Sequence, residues 1–206
     1  MAPGQCSTWQ KLNCIGGNST IEPYLVTHHL LLAHAAVANL YKNKFQVSQK
    51  GVTGIALVSI WFVPLSKANE DQRAALRALD FTFGWQVYRA KGASDWLNVY
   101  PIGIQDFLLY TKKKYNDPII YITENGIDEL NDPKLSLKEA LYDTKRVDYH
   151  ILHLFYVQSA IKNGVKVKEY FLWSLLDNFE WSVGYTVRFD INFVDYNNGL
   201  KRLPKL

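Results

Sequence analysis

Tyr121-Ile122-Thr123-Glu124-Asn125-Gly126 is the stretch on which the reading of this chain turns. Just ahead of Thr123, Pro118-Ile119-Ile120-Tyr121-Ile122 is apolar throughout and β-branched or aromatic at most positions, the composition of a short buried strand. The run then ends abruptly in a carboxylate, an amide and a glycine. Parallel α/β folds present catalytic groups in this way, at the C-terminal end of a strand and in the turn that follows. Taken alone, Glu124 and Asn125 would equally suit an ordinary polar loop. The surrounding chain has to decide.

Upstream, Pro101 fits the first turn of a helix whose expected buried side is Ile104, Phe107, Leu108 and Tyr115. Lys112-Lys113-Lys114 stands near its C-terminus, where cations complement the helix dipole. Asn69 is expected to cap an earlier helix, with Ala75, Leu76, Leu79 and Phe83 inward. Residues 54–60 are continuously apolar, as parallel strands are, and form a second strand candidate. Ser19-Thr20-Ile21-Glu22 has the form of a capping box, opening a helix with Leu25, His29, Leu32, Ala36 and Leu40 on one stripe.

Downstream, Ser136-Leu137-Lys138-Glu139 is a second capping box. It opens one long helix through Leu141, Val147, Ile151, Leu154 and Ala160, ended by Asn163-Gly164. Residues 165–176 form a third strand, which also finishes in polar and aromatic residues, Asp177-Asn178-Phe179-Glu180-Trp181. Residues 187–196 alternate enough for a strand, and Asn197-Asn198-Gly199 is a hairpin-type turn. Strands separated by helices of this length imply βαβ units and an α/β fold. Both polar-aromatic endings then fall beyond strand C-termini, on one edge of the sheet.

The 206 residues suffice for one core, or part of a larger one, and residues 1–206 read as a single unit without repeats or linkers. No apolar run approaches the ~20 residues that span a bilayer, so no membrane contact is expected. The N-terminus has neither a basic nor an apolar segment of the kind a signal peptide needs. The net charge of +4 comes from scattered Lys and Arg, which argues against nucleic acid as a partner. His28, His29 and His34 fall on different faces of one helix, a packing pattern rather than a metal site. No glycine-rich phosphate loop follows a strand, which argues against an unrelated doubly wound α/β domain; no metal or cofactor is expected. Cys6 and Cys14 would suit a small disulfide loop in an oxidising compartment, and the sequon Asn18-Ser19-Thr20 fits the same compartment.

Sugars are held by aromatic faces that cover C–H patches and by carboxylates that take several hydroxyls. Trp173, Glu180 and Trp181 supply both within nine positions. Two isolated tryptophans would more often be core residues. Beside Glu124 at the same sheet edge, they favour a carbohydrate site.

These two stretches resemble the C-terminal signatures of glycoside hydrolase family 1, the plant β-glucosidases in particular. The likeness extends to Ala2-Pro3-Gly4-Gln5-Cys6-Ser7, Glu22-Pro23-Tyr24, Arg77-Ala78-Leu79-Asp80-Phe81 and Val194-Asp195-Tyr196-Asn197-Asn198-Gly199-Leu200-Lys201-Arg202. The resemblance implies a (β/α)8 TIM barrel, of which this chain would carry roughly the fifth, seventh and eighth strands. It implies retaining hydrolysis of β-D-glucosides without a cofactor, the partner being a β-glucoside or oligosaccharide. Glu124 matches the nucleophile, Trp173 the floor of the glucose subsite, and Glu180 and Trp181 the groups that take sugar hydroxyls. Phe189 matches an aromatic residue near that subsite, Trp96 an aglycone platform, and Cys6 and Cys14 a loop disulfide. Relatives of this kind usually enter the secretory pathway.

The chain also departs from the family pattern. Retaining hydrolysis needs two carboxyl groups ~5–5.5 Å apart, and the family's acid/base lies in an Asn-Glu-Pro motif that these residues do not contain. Glu22-Pro23 follows Ile21 and matches a different family segment. By the resemblance, the family's first four strands are expected to have no counterpart in these residues. Trp85 runs almost directly into Ala93-Ser94-Asp95-Trp96, an apparent internal deletion near 85–93. Ile60 and Val63 stand where polar residues are usual, and Asp190 replaces a glycine, where a charged side chain is expected to fit poorly. The expectation is a chain that is inactive or very weak alone; the alternative is a non-catalytic carbohydrate-binding or interaction protein.

Overall fold

The computed structural model of the chain describes residues 6–10, 16–81, 90–94 and 97–206. The chain divides into two compact units, residues 1–56 and 57–206.

The first unit is built on α1 (Glu22–Lys44) and a single further turn, α2 (Gln46–Gln49). Pro23 sits in the first turn of α1, where its missing N–H removes no helical bond. The expected capping box is not formed. Ile21 occupies the cap position, and the Ser19 hydroxyl instead accepts from the Ser7 N–H at 2.8 Å. The Ser19 N–H in turn donates to the Ser7 hydroxyl at the same length, so the two serines are committed to each other. Nor is the Leu25–Leu32–Leu40 stripe buried: no residue of α1 is, and Leu30, Leu31 and Val37 are exposed as well. Cys6 is buried and disulfide-bonded, while Cys14 lies outside the described residues.

The second unit runs α3 (Asn69–Phe81), β1 (Ala90–Lys91), β2 (Asn98–Val99), α4 (Ile102–Lys114), β3 (Ile119–Asn125), β4 (Glu129–Leu130), α5 (Leu137–Leu141), α6 (Thr144–Lys162), β5 (Lys166–Leu172), β6 (Val187–Arg188), β7 (Asn192–Asp195) and β8 (Lys201–Pro204). Among the described residues the strands pair two by two. β3 and β5 are parallel; β1–β2, β4–β6 and β7–β8 are antiparallel, and no barrel closes. Residues 54–60, expected as a strand, pair with nothing described and form none. Apolar composition proposes a strand, but only a neighbouring ladder makes one.

The core of this unit lies where α4 and α6 cover β3 and β5. Leu108, Val157, Ala160 and Val165 are buried at its centre, with Ile104, Ile120, Ile122, Val167 and Tyr170 packed around them. Tyr115, expected inside, is exposed, because α4 ends at Lys114 and the chain turns away. Asn69 is the first residue of α3 rather than its cap, since the Ala68 carbonyl already accepts from the Gln72 N–H. Of the expected inner face of α3, Leu79 is buried and Leu76 exposed; Phe83 lies outside the described residues.

The capping box at Ser136 forms as expected, with reciprocal Ser136–Glu139 bonds. The helix it opens stops at Leu141, however. Asp143 breaks the run by taking the Arg146 N–H at 3.1 Å and capping a new helix. The buried face of α6 is Arg146, Tyr149, His150, His153, Val157 and Ala160, while Val147, Ile151 and Leu154 are exposed. Charged and aromatic residues face inward there because partners await them, as the site below shows. The helix ends in a Schellman turn: Val165 N–H reaches the Ala160 carbonyl, and Gly164 supplies φ +81°. Lys112 donates to the Asn163 and Gly164 carbonyls at 3.3 and 2.7 Å, so one of the three lysines caps the neighbouring helix.

Residues 187–196 are two strands, not one. The break falls where Phe189 and Ile191 bond the two sides of Ser174 instead of continuing a ladder. The Asn197-Asn198-Gly199 turn joins β7 to β8, with Gly199 at φ +62°.

Two substitutions test this packing. Leu108, 1% exposed, is expected to cost about 2–5 kcal/mol as Leu108→Ala, read as a lower urea midpoint at unchanged m. At Gly126 a methyl group would overlap the backbone carbonyl of Trp173, so Gly126→Ala is expected to cost roughly 1–3 kcal/mol by the same measurement. An unchanged midpoint for Gly126→Ala would mean that β3 and the Trp173 segment do not touch.

Candidate functional site

The parallel register of β3 and β5 sets Asn125 opposite Leu172. The strands therefore end side by side, and the residues after them meet. The Trp173 N–H donates to the Asn125 carbonyl at 2.9 Å. The side chain of Asn125 is fixed from below: the Tyr170 hydroxyl donates to its Oδ1 at 2.7 Å, and His150 Nδ1 lies 3.1 Å from that hydroxyl. Burial first, then the Arg146 guanidinium, pushes His150 down to about 4, so the ring is neutral. With the Tyr170 proton given to Asn125, the His150 proton sits on Nδ1 and points at the tyrosine oxygen.

The segment after Glu124 is clamped in turn. The Ile127 carbonyl accepts from Arg146, which also pairs with Asp143 at 2.6 Å and Glu129 at 3.2 Å. Asp128 is buried and accepts from the Ala93 and Ser94 N–H groups at 2.8 and 2.9 Å and from the Ser94 hydroxyl. At Asp143, burial opposes ionisation, but Arg146 and Lys205 outweigh it and hold the carboxyl below its ordinary range.

On the β5 side, the Trp173 indole N–H donates to Glu180 Oε1 at 3.2 Å, and Asn178 Nδ2 donates to the same oxygen at 2.6 Å. Glu180 is 7% exposed. Phe189 is buried, and its carbonyl accepts from the Ser174 N–H. Glu180 and Gly184 exchange backbone bonds of 2.9 Å, closing a tight loop that holds Trp181 at φ +41°. A bulky side chain in the left-handed region is costly and is kept only where the surroundings impose it.

Of the residues singled out in the sequence, Glu124 and Trp173 thus lie at adjacent strand ends, Trp173 is hydrogen-bonded to Glu180, and Phe189 is bonded to the neighbouring Ser174. Glu124 itself is exposed, and Trp181 is 88% exposed. Clefts of about 530 and 590 Å³ lie elsewhere, the first against α3 and residues 61–67, the second at Ser136, Tyr142 and Leu206. Neither is lined by any of these residues. Trp96 lies outside the described residues. The sequence reading missed Tyr170, His150 and Asn178, which position the others; only their placement by the fold gives them that role. Asp190 was expected to fit poorly, yet it is fully enclosed. No group of three or more His, Cys, Asp or Glu among the described residues could hold a metal ion. No helix among them is long and apolar enough to cross a membrane.

Comparison with known proteins gives this geometry a family. The model of glycosyl hydrolase family 1 matches residues 12–91 and 86–206. Beta-glucosidase 24 of Oryza sativa subsp. japonica is 41% identical over 282 aligned positions, which take in all of this chain and 56% of the relative. Beta-glucosidase 12 of Oryza sativa subsp. indica is 43% identical over 99% of this chain and 55% of its own length. The crystal structure of the rice Os3BGlu6 β-glucosidase superposes with a TM-score of 0.92 at 34% identity, covering 99% of this chain and 59% of that one. A β-glucosidase from the fungus Humicola insolens, solved in complex with glucose, gives 0.90 at 26% identity, with 99% and 58% covered. The chain thus spans little more than half the length of these relatives, and over that span it belongs to glycosyl hydrolase family 1.

Proposed function

We propose that this chain derives from a retaining β-glucosidase, with Glu124 in the position of the nucleophile. The observation that carries the reading is the β3–β5 register, which sets Glu124-Asn125-Gly126 beside an indole whose N–H is tied to a second carboxylate. In a complete site of this kind, a Glu124 oxygen attacks the anomeric carbon while the glycosidic C–O bond breaks. The departing oxygen takes a proton from an acid, and water then cleaves the glycosyl ester. Trp173 would stack under the sugar ring, Glu180 and Trp181 would take its hydroxyls, Phe189 would back the subsite, and Trp96 would face the aglycone. β3 and β5 would correspond to the seventh and eighth barrel strands and residues 54–60 to the fifth. An internal deletion near 85–93 is supported by the two family matches meeting at residues 86–91, and by relatives that need 282 aligned positions for these 206 residues.

The acid has no candidate in the sequence given, since Asn-Glu-Pro does not occur. Loss of general acid catalysis alone costs about 10²–10⁴ in rate. A second reading, a chain that binds carbohydrate without cleaving it, is favoured by the Trp173–Glu180–Asn178 cluster, which is formed and internally bonded. The N-terminal loop points to the secretory pathway. Asn18 is exposed, and its Oδ1 accepts from the Thr20 N–H and hydroxyl at 3.1 and 2.5 Å, next to a disulfide-bonded Cys6.

The purified 206-residue chain is expected to release nitrophenol from a nitrophenyl β-glucoside at least ~10²-fold more slowly than full-length relatives. Rates near theirs that vanish in Glu124→Gln would refute the inactivity. Calorimetry with glucose on the folded chain separates the second reading: heat of binding lost in Trp173→Ala supports it, and absence of heat sinks it. Secreted from a glycosylating host behind a leader, the chain is expected to carry a glycosidase-sensitive glycan that Asn18→Gln removes; an unmodified secreted product would overturn that assignment.

A further inference from the structure

Asp190 is a buried carboxylate, 0% exposed, with a cation beside it but no hydrogen-bond donor on either oxygen. Its partner across the site is another carboxyl, Asp177, whose Oδ1 is also buried without a donor. Asp177 Oδ2 is satisfied by Arg188 and by the Val194 N–H at 3.1 Å. Lys205 Nζ lies 3.6 Å from Asp190 Oδ1, beyond good hydrogen-bond reach, because it is drawn to Glu129 and to Asp143 at 3.0 Å. Two ionised carboxylates own only acceptors, so as a charged pair they would leave three buried oxygens unpaired. A single proton between them turns one oxygen into a donor and pairs two of the three.

The charges agree. The groups that face this pocket are Asp177 on the 173–181 loop, Arg188 on β6, Asp190 after it, Lys205 after β8, Glu129 on β4, and Asp143 and Arg146 at the start of α6. Tyr196 faces it too, its buried hydroxyl unpartnered and its proton held more tightly by burial and by the Asp177 charge. The neutral His150 lies behind Arg146 and Asp143. Four carboxylates stand against three cations, and one added proton makes the cluster neutral. Burial and the neighbouring Asp190 push Asp177 up to about 7.

The position of the pair gives it a role. Asp190 lies between two backbone bonds to Ser174, from Ser174 N–H to the Phe189 carbonyl and from Ile191 N–H to the Ser174 carbonyl, both 2.9 Å. Asp177 sits in the loop that starts at Trp173 and ends at Glu180-Trp181. We propose that Asp177 and Asp190 share one proton and that this acid pair positions the 173–181 loop, so that the sugar-facing residues are held in place only while the proton is bound. The sugar-facing part of this rests on the carbohydrate reading above; the acid pair does not.

The sign follows from linkage. The folded chain holds a proton that the unfolded chain has already released above ordinary aspartate pKa values. The stabilisation is therefore fully present below about pH 4, decreases as pH rises, and is gone above about pH 7. Asp190→Asn removes a charge and supplies a permanent donor, imitating the protonated pair.

The test is thermal melting of the chain from pH 5 to pH 8, with glucose calorimetry at both ends. The wild-type midpoint is expected to fall relative to Asp190→Asn by on the order of 5 °C across this range, and any glucose affinity to fall with it in the wild type only. Parallel melting curves overturn the proposal. Diverging curves without glucose binding at any pH leave the acid pair standing and remove the carbohydrate reading. Should Asp190→Asn fail to fold, carboxyl carbon-13 titration of the wild type decides: a buried aspartate titrating near neutrality supports the pair, and none titrating above about pH 5 overturns it.

Discussion

The backbone bond from Trp173 N–H to the Asn125 carbonyl joins the two halves of the candidate site, and it exists because β3 and β5 run parallel and stop together. Parallel strands cannot be joined by a short turn, so the chain between them has to cross over through α6. That crossover delivers the core, since Val157 and Ala160 on α6 meet Ile120 and Ile122 on β3 and Val167 on β5. Gly126 is the concession the junction demands, because any side chain there would strike the Trp173 carbonyl. Packing, crossover and site are consequences of one pairing.

Around this junction the chain is organised by buried charge. Arg146 reaches Asp143, Glu129 and the Ile127 carbonyl; Lys205 reaches Glu129 and Asp143; Arg188 reaches Asp177. Desolvating so many ions is expensive, and a network of this kind adds little net stability over an apolar core. The pairs tie β4, α6, β6 and the end of β8 to one another. This explains why α6 turns Arg146 and His150 inward and leaves Val147 and Ile151 in solvent.

What could be read from the sequence follows from the same division. Local signals held: the apolar run before Thr123 is a strand, although Ile119 and Tyr121 are exposed rather than buried, Ser136 and Glu139 form their capping box, and Gly164 ends α6. Signals that depend on partners did not. Residues 54–60 have a strand's composition but no neighbour, Ser19 prefers Ser7 to the helix it precedes, and Asp143 cuts one expected helix into two. The aromatic and acidic residues at both strand ends were visible from motif and spacing. The supporting His150–Tyr170–Asn125 chain was not, because its members are 20 and 45 residues apart and carry no local pattern.

The candidate site is thus finished on its inner side and open on its outer one. Trp173, Glu180 and Phe189 are held by side-chain and backbone bonds within the second unit. Glu124 and Trp181 project from well-fixed backbone into solvent. Water there weakens every electrostatic interaction that those two side chains can make. A nucleophile gains its power from walls that exclude water and from a second group that protonates what leaves. Family membership is legible in the strand ends and their supports, whereas chemistry depends on what faces them.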